Sequence, residues 1–281
     1  MMKTYEKIVK ERMVNHINSD LVGASFRGKS YPHILKDLSN NFIDGSYPEK
    51  KCLKGSLTND NIKYHYAEHL NSSQTMCIAF FKKFFESEAN EHLLSTILTM
   101  LNIDISDTEI IDAIFEYIPC SKEGTNFDFF LRLKNGKQLT WEIKFTESEF
   151  GRIPPVKAMS KTYLDKWNNV YLDMLSQGIY SRCFLKTELS IIGFYEHYQI
   201  MRNILYAKNT GDYVLFLTPK ENNSKALIEG RTFINVCATT CNTNCIRNIY
   251  WEDLLDATLK VVKNNPILFD YYSKFKTKYF E

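Results

Sequence analysis

The sequence predicts an α/β protein in which a mixed central sheet is flanked by helices, with extra helical segments at the N-terminal and C-terminal ends. Three observations lead to this fold class. Apolar residues recur at helical spacing up to about residue 101, they alternate with a period of two over residues 109–145, and helical spacing then returns around one short buried strand. The elements do not alternate regularly and no glycine-rich phosphate loop is present, which argues against a doubly wound dinucleotide-binding fold.

The part of the chain before the sheet is predicted to be helical at both ends and irregular between them. Residues 1–20 carry apolar side chains near helical spacing, whereas glycine, proline, asparagine and serine break the pattern over residues 23–61. Asn71, Ser72 and Ser73 form a helix start signal before an apolar run, and a second helix is expected over residues 87–101. We expect residues 1–70 to form an N-terminal extension and residues 71–281 to form the main domain.

The middle of the chain predicts three antiparallel strands. Residues 109–118 form the first, and residues 125–134 and 137–145 form a hairpin around Asn135 and Gly136. After the hairpin we expect a helix over 158–177, a helix over 191–208, strands at 214–217 and 232–237, and a helical region from residue 251. The basic C-terminal residues 274–281 either touch nucleic acid or form a frayed tail.

Charge and composition restrict the class of protein. The 281-residue chain has a net charge of +2, so any surface for nucleic acid must be a local concentration of positive charge. No apolar run reaches the roughly 18 residues that a membrane span needs, and charges near the N terminus argue against a signal peptide. We therefore expect a cytoplasmic protein without membrane contact, whose seven cysteines are thiols in a reducing compartment.

The predicted hairpin carries the residue types that phosphodiester hydrolysis requires, namely carboxylates for a hard cation and a positive group beside the phosphate. Asp128 lies on its first strand, and Glu142 and Lys144 lie on its second. Residues two apart on a strand share a face, so Glu142 and Lys144 project together while Ile143 turns to the other face. An acid and a lysine at this spacing often mark only a solvated edge, but the aspartate on the first strand favours the catalytic interpretation.

The turn decides whether Asp128 faces Glu142. A strict two-residue turn at Asn135 and Gly136 would set Asp128 against Ile143. A three-residue loop over residues 134–136, with Gly136 left-handed, shifts the pairing by one residue and sets Asp128 against Glu142. We predict the second register because it also matches three apolar pairs, each worth about 0.2–1 kcal/mol. These pairs are Phe127 with Ile143, Phe129 with Trp141, and Leu131 with Leu139.

Short motifs in and around this hairpin resemble a known superfamily. They are Ser72-Ser73-Gln74 at a helix start, Thr125-Asn126-Phe127-Asp128-Phe129 on one strand, and Trp141-Glu142-Ile143-Lys144-Phe145-Thr146-Glu147 on the next. Over roughly residues 65–260 the chain resembles the PD-(D/E)xK nuclease superfamily, in its bacterial restriction-endonuclease-like branch. The literal proline is absent, since Phe127 precedes Asp128. The resemblance implies a restriction-endonuclease-like core for the predicted sheet.

The resemblance also implies a metal-dependent nuclease that hydrolyses phosphodiester bonds in DNA. Asp128 and Glu142 would bind Mg²⁺, for which Mn²⁺ can substitute, and the backbone carbonyl of Ile143 would add a ligand. Lys144 would position or activate the attacking water. The expected role is a restriction or defence endonuclease acting on double-stranded DNA, and cutting of both strands favours a homodimer.

Other candidate residues carry less specific signals. Some members of the superfamily place an extra acid on the helix before the sheet, and Glu91 or Glu88 would fill that place here. Glu123 either approaches the metal or serves as a turn residue, and we favour the turn. Arg202 and Asn203 contact DNA or support the core. Basic residues after the catalytic strand are candidates to line a phosphate-binding groove, and they are Arg152, Lys157, Lys161 and Lys166. For Lys161 and Lys166 a solvated helix face is an equal alternative.

Two alternative functions stay open at the level of the sequence. A non-catalytic nucleic-acid-binding protein would keep the fold, although the intact acidic and lysine residues of the hairpin speak against it. An iron–sulfur exonuclease would use the regularly spaced Cys237, Cys241 and Cys245. Their spacing fits no standard zinc or ferredoxin pattern, so thiols without a metal are the preferred interpretation.

Overall fold

A computed structural model describes residues 3–105, 109–185 and 189–281, and a six-stranded sheet lies at its centre. The strands are β1 (Ser25–Phe26), β2 (Lys29–Ser30), β3 (Cys52–Lys54), β4 (Ile110–Tyr117), β5 (Phe127–Leu133), β6 (Gln138–Ile143), β7 (Tyr213–Thr218) and β8 (Ile246–Tyr250). The helices are α1 (Tyr5–Asn15), α2 (Ser73–Phe81), α3 (Glu88–Met100), α4 (Pro155–Ala158), α5 (Lys161–Lys166), α6 (Leu172–Gln177), α7 (Arg182–Leu185), α8 (Ile191–Glu196), α9 (Tyr198–Leu205), α10 (Lys225–Thr240), α11 (Trp251–Val262) and α12 (Pro266–Phe280). A π-helical turn, Trp167–Tyr171, joins α5 to α6.

The central sheet is mixed. Its strand order is β3–β4–β5–β6–β7–β8, with antiparallel pairing from β3 to β6 and parallel pairing from β6 to β8. Parallel neighbours need a crossover, which the helices α4 to α9 supply between β6 and β7, and α10 supplies between β7 and β8. The predicted α/β class with a mixed sheet flanked by helices is confirmed.

The register of the β5–β6 hairpin follows the prediction. Phe129 pairs with Trp141, and Leu131 pairs with Leu139. Gly136 adopts a left-handed backbone with φ of 86° while Asn135 does not, as a three-residue loop requires; a type I′ two-residue turn would need both residues left-handed. Because the side-chain period of a strand is two, this register sends the aromatic pair to one face and the acidic residues of the hairpin to the other.

Two hydrophobic cores lie on opposite faces of the sheet. The first is filled by α2, α3, α11 and α12, and the second by the helices between α4 and α10. Strand β7 contributes to both, since Leu215 and Leu217 join the first core while Val214 and Phe216 join the second. A strand buried on both faces is apolar at successive positions, which explains the continuous apolar run in the sequence.

The N-terminal segment packs into the first core. Residues 23–61 form short strands, turns and a 3-10 segment, in agreement with the predicted irregular stretch. Helix α1 is held against the C terminus, where Arg12 Nη1 donates a hydrogen bond to the carbonyl of Phe280 at 3.3 Å. Buried apolar residues of the segment that share this core with α2 and α12 are Val9, Met13, Val22, Leu35 and Phe42.

The helix starts that the sequence predicts at residues 71–73 and 87 are confirmed. Ser72 Oγ accepts a hydrogen bond from the amide of Thr75 at 3.2 Å, and Ser87 Oγ accepts one from the amide of Asn90 at 3.3 Å. Each serine thereby satisfies an amide that the first turn of a helix leaves without a partner.

The prediction of a strand at residues 232–237 is wrong, because this stretch belongs to α10. Its threonine, phenylalanine, isoleucine and valine favour a strand locally, but the helix packs along β8 and buries one face. Strand β8, which the sequence did not predict, follows that helix. The buried residues of α10 recur at helical spacing, and they are Leu227, Gly230, Arg231, Ile234 and Cys237.

The C-terminal segment is helical and not a frayed tail, while its contact with nucleic acid stays a prediction. It forms the last two turns of α12, which pack on α2 and α11. Lys278 Nζ donates to Asn41 Oδ1 at 2.8 Å and so ties α12 to the N-terminal segment. The aromatic residues that bury this helix are Tyr271, Tyr272, Phe275 and Tyr279.

Cys183 and Cys241 form a disulfide with their Cα atoms 5.5 Å apart. The expectation that all seven cysteines are thiols is therefore wrong for this pair. The two residues are separated by 58 positions, and only the fold brings them together. Among the residues that the structure describes, no helix has the length and apolar character needed to cross a membrane.

Candidate active site

Three carboxylates lie in a row across the ends of β4, β5 and β6. Phe115 pairs with Phe129 and Tyr117 pairs with Phe127, so Glu116 and Asp128 are opposite each other on neighbouring strands. Continuation of the β5–β6 register puts Glu142 next to Asp128 on the other side. The predicted proximity of Asp128 and Glu142 is thus present, and Glu116 extends it to a third strand.

Lys144 lies against Glu142, as their spacing on one strand predicts. Its Nζ is 2.8 Å from Glu142 Oε1, and both side chains are nearly inaccessible to solvent. Burial disfavours the charge of Lys144, but the carboxylates of Glu142, Glu147 and Asp128 outweigh it and raise its pKa above the usual range. Without a bound cation, Lys144 is therefore a charged hydrogen-bond donor and not a base.

Asp128 is fixed by the backbone of the neighbouring strand. Its Oδ2 accepts a hydrogen bond from the amide of Ile143 at 2.6 Å, where the regular ladder between β5 and β6 has ended. Burial raises the pKa of Asp128 well above the ordinary value, and the charges of Glu142 and Glu116 add to this. An Asp128 carboxylate surrounded by other carboxylates is stabilised by a cation.

Glu116 is a functional candidate that the sequence analysis missed. Burial and the charge of Glu142 raise its pKa, while amide donors from Asn126 and Gln74 and the charge of Lys51 oppose the rise. The backbone at Glu116 is left-handed, with φ of 50°, which is uncommon for a residue with a side chain. Glu116 is one of two acids in the mainly apolar strand β4, the other being Asp112, and its pairing opposite Asp128 was not visible in the sequence.

Helix α9 supplies two amides that hold Glu142. Gln199 Nε2 donates to Glu142 Oε1 at 2.7 Å, and Asn203 Nδ2 donates to Oε2 at 3.2 Å. The two residues are four apart, so they lie on one face of the helix. Together with Lys144 they orient both carboxylate oxygens. These contacts favour the interpretation that Asn203 supports the core over the interpretation that it contacts DNA.

Glu123 and Arg202 fasten the same helix to the protein. Arg202 Nε donates to Glu123 Oε1 at 2.6 Å, and that oxygen also accepts from Tyr171 Oη at 2.8 Å. Glu123 Oε2 accepts from the amide of Thr125 at 2.7 Å and from Tyr206 Oη at 2.9 Å. Burial opposes the charge of Glu123, but the hydrogen bonds from Arg202 and Thr125 outweigh it and lower its pKa to about 2.

These contacts show that Glu123 and Arg202 belong to one polar cluster. Glu123 lies in a turn, as the favoured interpretation predicts, but its side chain is the buried centre of a polar cluster and does not approach the row of carboxylates as a free acid. Arg202 is bound to Glu123 and shares α9 with Gln199 and Asn203. The cluster therefore fixes the helix that orients Glu142.

Several candidates from the sequence do not join the row of carboxylates. Glu91 forms an ion pair with Lys54 on the edge strand β3 at 2.7 Å, and Glu88 is exposed. The structure thus gives the Glu91 carboxylate a partner other than a metal. The residues Arg152, Lys157 and Lys161 are exposed, and their contact with a phosphate backbone stays a prediction. Lys166 instead donates to the carbonyl of Glu123 at 2.7 Å.

The donor set of the row fits a sparse magnesium site. Mg²⁺ takes oxygen ligands, keeps several waters and commonly uses only one or two carboxylates. Asp128 and Glu142 supply two carboxylates beside the backbone of Ile143, and the raised pKa of Asp128 indicates negative charge that a cation would balance. Over residues 3–105, 109–185 and 189–281, no group of three or more acidic, histidine or cysteine side chains could hold a metal ion, so a Mg²⁺ ion here would depend on two carboxylates, a backbone oxygen and waters.

The regularly spaced cysteines do not assemble a cluster site. Cys241 is bonded to Cys183, and Cys237 is buried within α10. Cys245 lies beyond the helix and is a free thiol. This arrangement speaks against the iron–sulfur interpretation, which needs these sulfurs as metal ligands.

Comparison with known protein families identifies a relationship over nearly the whole chain. The family model REase-ARP, described as "Restriction Endonuclease associating with ARP", matches residues 10–280. No curated protein and no solved structure matches the chain. The matched region includes the N-terminal segment, the whole central sheet and the helices on both faces, in agreement with a restriction-endonuclease-like fold. The chain therefore belongs to the REase-ARP family of restriction endonucleases.

Proposed function

We propose that this restriction-endonuclease family member is a magnesium-dependent endonuclease that hydrolyses phosphodiester bonds in double-stranded DNA. The observation that supports the proposal is the contact of a charged lysine with the buried carboxylate of Glu142, next to the carboxylate of Asp128 at the end of the central sheet. Asp128, Glu142 and the carbonyl of Ile143 would hold Mg²⁺, with Mn²⁺ as a substitute. The bound ion would supply charge stabilisation at the scissile phosphate.

Four side chains of the site have separate roles in this proposal. Asp128 and Glu142 supply negative charge in fixed positions, since the Ile143 amide holds the first and α9 holds the second. Lys144 carries a positive charge next to them, and it donates a hydrogen bond to the attacking water or to a phosphate oxygen. Gln199 prevents rotation of the Glu142 carboxylate, because it and Lys144 donate to the same oxygen.

Cleavage of supercoiled and linear DNA by the purified protein tests the proposal, with Mg²⁺, Mn²⁺ or EDTA added. We expect cleavage with either ion and none with EDTA, and a loss of roughly 10²–10³-fold or more in Lys144→Ala and Asp128→Asn. Lys134→Ala is a matched control. It removes a lysine from the hairpin loop at the other end of β5 and β6, where Lys134 pairs with Glu109 at the surface.

A folded protein that binds DNA but cuts no DNA or RNA with either ion would contradict the proposal and favour the non-catalytic binding protein. Discrete fragments would further indicate recognition of a sequence. The expected homodimer stays a prediction, and sedimentation of the protein with and without a DNA duplex measures it.

A further inference from the structure

A groove of about 900 Å³ opens beside Lys144. The catalytic side of the groove includes residues 146–149 and the N terminus of α2. The opposite side is built by the N-terminal segment, through α1, the β1–β2 ribbon and the stretch before α2. A long ligand that lies in this groove and reaches Lys144 therefore passes along the N-terminal segment.

The ribbon is held in a fixed position relative to the catalytic side. The ring of Phe26 packs edge-to-face on Tyr66 at 5.6 Å and on His69 at 5.5 Å between centroids. The carbonyl of His69 accepts a hydrogen bond from the amide of Ser72, the residue that caps α2. Ser73, next in the chain, donates to Glu147 at 2.6 Å. The contacts connect the ribbon to the strand end that carries Lys144.

Two residues at the groove have an unfavourable backbone. Arg27, at the turn of the ribbon, has φ of 51°, and Tyr66 has φ of 53°. A left-handed backbone costs roughly 1–2 kcal/mol for a residue with a Cβ, and glycine or asparagine avoids much of that cost. The ring of Tyr66 packs on Phe26, whereas Arg27 is exposed and contributes no buried side chain that would offset the strain. Strain at Arg27 that packing does not offset points to a function.

Arg27 is the basic residue of the groove whose charge is available to a ligand. Two of the acids that line the groove form ion pairs, Glu6 with Lys10 and Glu149 with Arg152, whereas Glu147 accepts a hydrogen bond from Ser73, a neutral donor. The guanidinium of Arg27 lies over the ring of Phe26 at 5.2 Å, and it makes no ion pair with any residue that the structure describes. An exposed guanidinium is suited to phosphate oxygens and to guanine edges.

We infer that the β1–β2 ribbon is a DNA-contacting arm of the groove and that Arg27 is the residue with which it holds the duplex. This inference rests on the proposed function and extends it to the N-terminal segment. A two-stranded ribbon fits the major groove of B-form DNA, which is about 12 Å wide. The arm thereby positions the duplex while its scissile phosphate lies at Lys144.

Binding of a 30-base-pair duplex pool in EDTA, over a series of salt concentrations, tests the arm. Arg27→Asn removes the guanidinium and tolerates the left-handed backbone, so we expect an unchanged or higher melting temperature. We expect its affinity for DNA to fall roughly tenfold, and the slope of log affinity against log salt to fall by about 1 for a lost phosphate contact. Arg27→Lys distinguishes a phosphate contact from a contact with a guanine edge. Lysine retains the charge for a phosphate contact but cannot make a bidentate contact with a base.

Lys134→Ala again serves as the control, since it removes one positive charge from a hairpin turn about 20 Å along β5 from Asp128. Affinity of Arg27→Asn within twofold of this control, with the same salt slope, would overturn the inference. If the wild type cleaves DNA and Arg27→Asn binds and cleaves DNA as well as the wild type, the DNA-contacting role of the ribbon is contradicted while the proposed function stands. Absence of both DNA binding and cleavage in the wild type would overturn the proposed function, and the arm with it.

Discussion

Replacement of Glu123 by glutamine measures what the buried polar cluster contributes. Glutamine has nearly the same size, but it carries no charge and leaves Arg202 without its anion at 2.6 Å. The ordinary pKa of 4.5 and the value of about 2 in the folded protein correspond to about 3 kcal/mol of stability at neutral pH. Loss of one partner from a buried ion pair costs about 3–5 kcal/mol in other proteins, which agrees with this value.

The sign of the pH dependence follows from the direction of the pKa. The folded pKa of Glu123 lies below the unfolded value, so its stabilisation is complete well above pH 4.5 and is lost as the pH falls towards 2. We expect the difference in unfolding free energy between wild type and Glu123→Gln to be about 3 kcal/mol at pH 7. It should decrease by about 0.8 kcal/mol at pH 4 and by about 2 kcal/mol at pH 3.

Denaturant unfolding at these pH values provides the assay, with Glu229→Gln on the exposed side of α10 as a control that should change stability by less than about 0.5 kcal/mol. An unfolding entropy of about 2.1 cal/mol/K per residue gives about 0.6 kcal/mol/K for this chain, so the melting temperature at pH 7 should fall by about 5 °C. Equal stability of Glu123→Gln and wild type at pH 7, or a difference that does not shrink in acid, would refute the reasoning.

Three further predictions concern the site and the disulfide. Gln199→Ala and Asn203→Ala remove the amides that orient Glu142, so the Mg²⁺ concentration for half-maximal cleavage should rise roughly 10–100-fold; an unchanged Mg²⁺ titration would contradict this. Glu116→Gln removes the carboxylate opposite Asp128, so Mg²⁺ should raise the melting temperature less than in wild type, where binding to the folded state stabilises it. Cys183→Ser opens a loop of 58 residues, so the free energy of unfolding without reductant should fall by about 4 kcal/mol. Dithiothreitol should lower the free energy of unfolding of the wild type by the same amount and leave that of the variant unchanged.

The hairpin and its register could be predicted from the sequence alone. Alternation of apolar residues, the Asn135-Gly136 turn and the matching of apolar pairs were enough to predict the register that brings Asp128 next to Glu142. Such features are local, because a turn type and a period of two restrict residues that are close in the chain. The serine caps of α2 and α3 were predictable for the same reason.

The other residues around these acids are brought there by long-range packing and could not be read from the sequence. Glu116 is 12 residues before Asp128 and becomes its neighbour through the β4–β5 pairing, and Gln199 and Asn203 reach Glu142 from a helix more than 50 positions away. The disulfide and the strand β8 depend on the same long-range packing.

The physical reason is that propensity and periodicity act within a turn of helix or a pair of strands, whereas contacts between distant segments are selected by burial of the whole core. Residues 232–237 illustrate the competition, since their local preference for a strand was weaker than the packing of α10. The N-terminal segment illustrates it as well. Its sequence predicted only an irregular extension, and the fold made it one side of the groove beside Lys144.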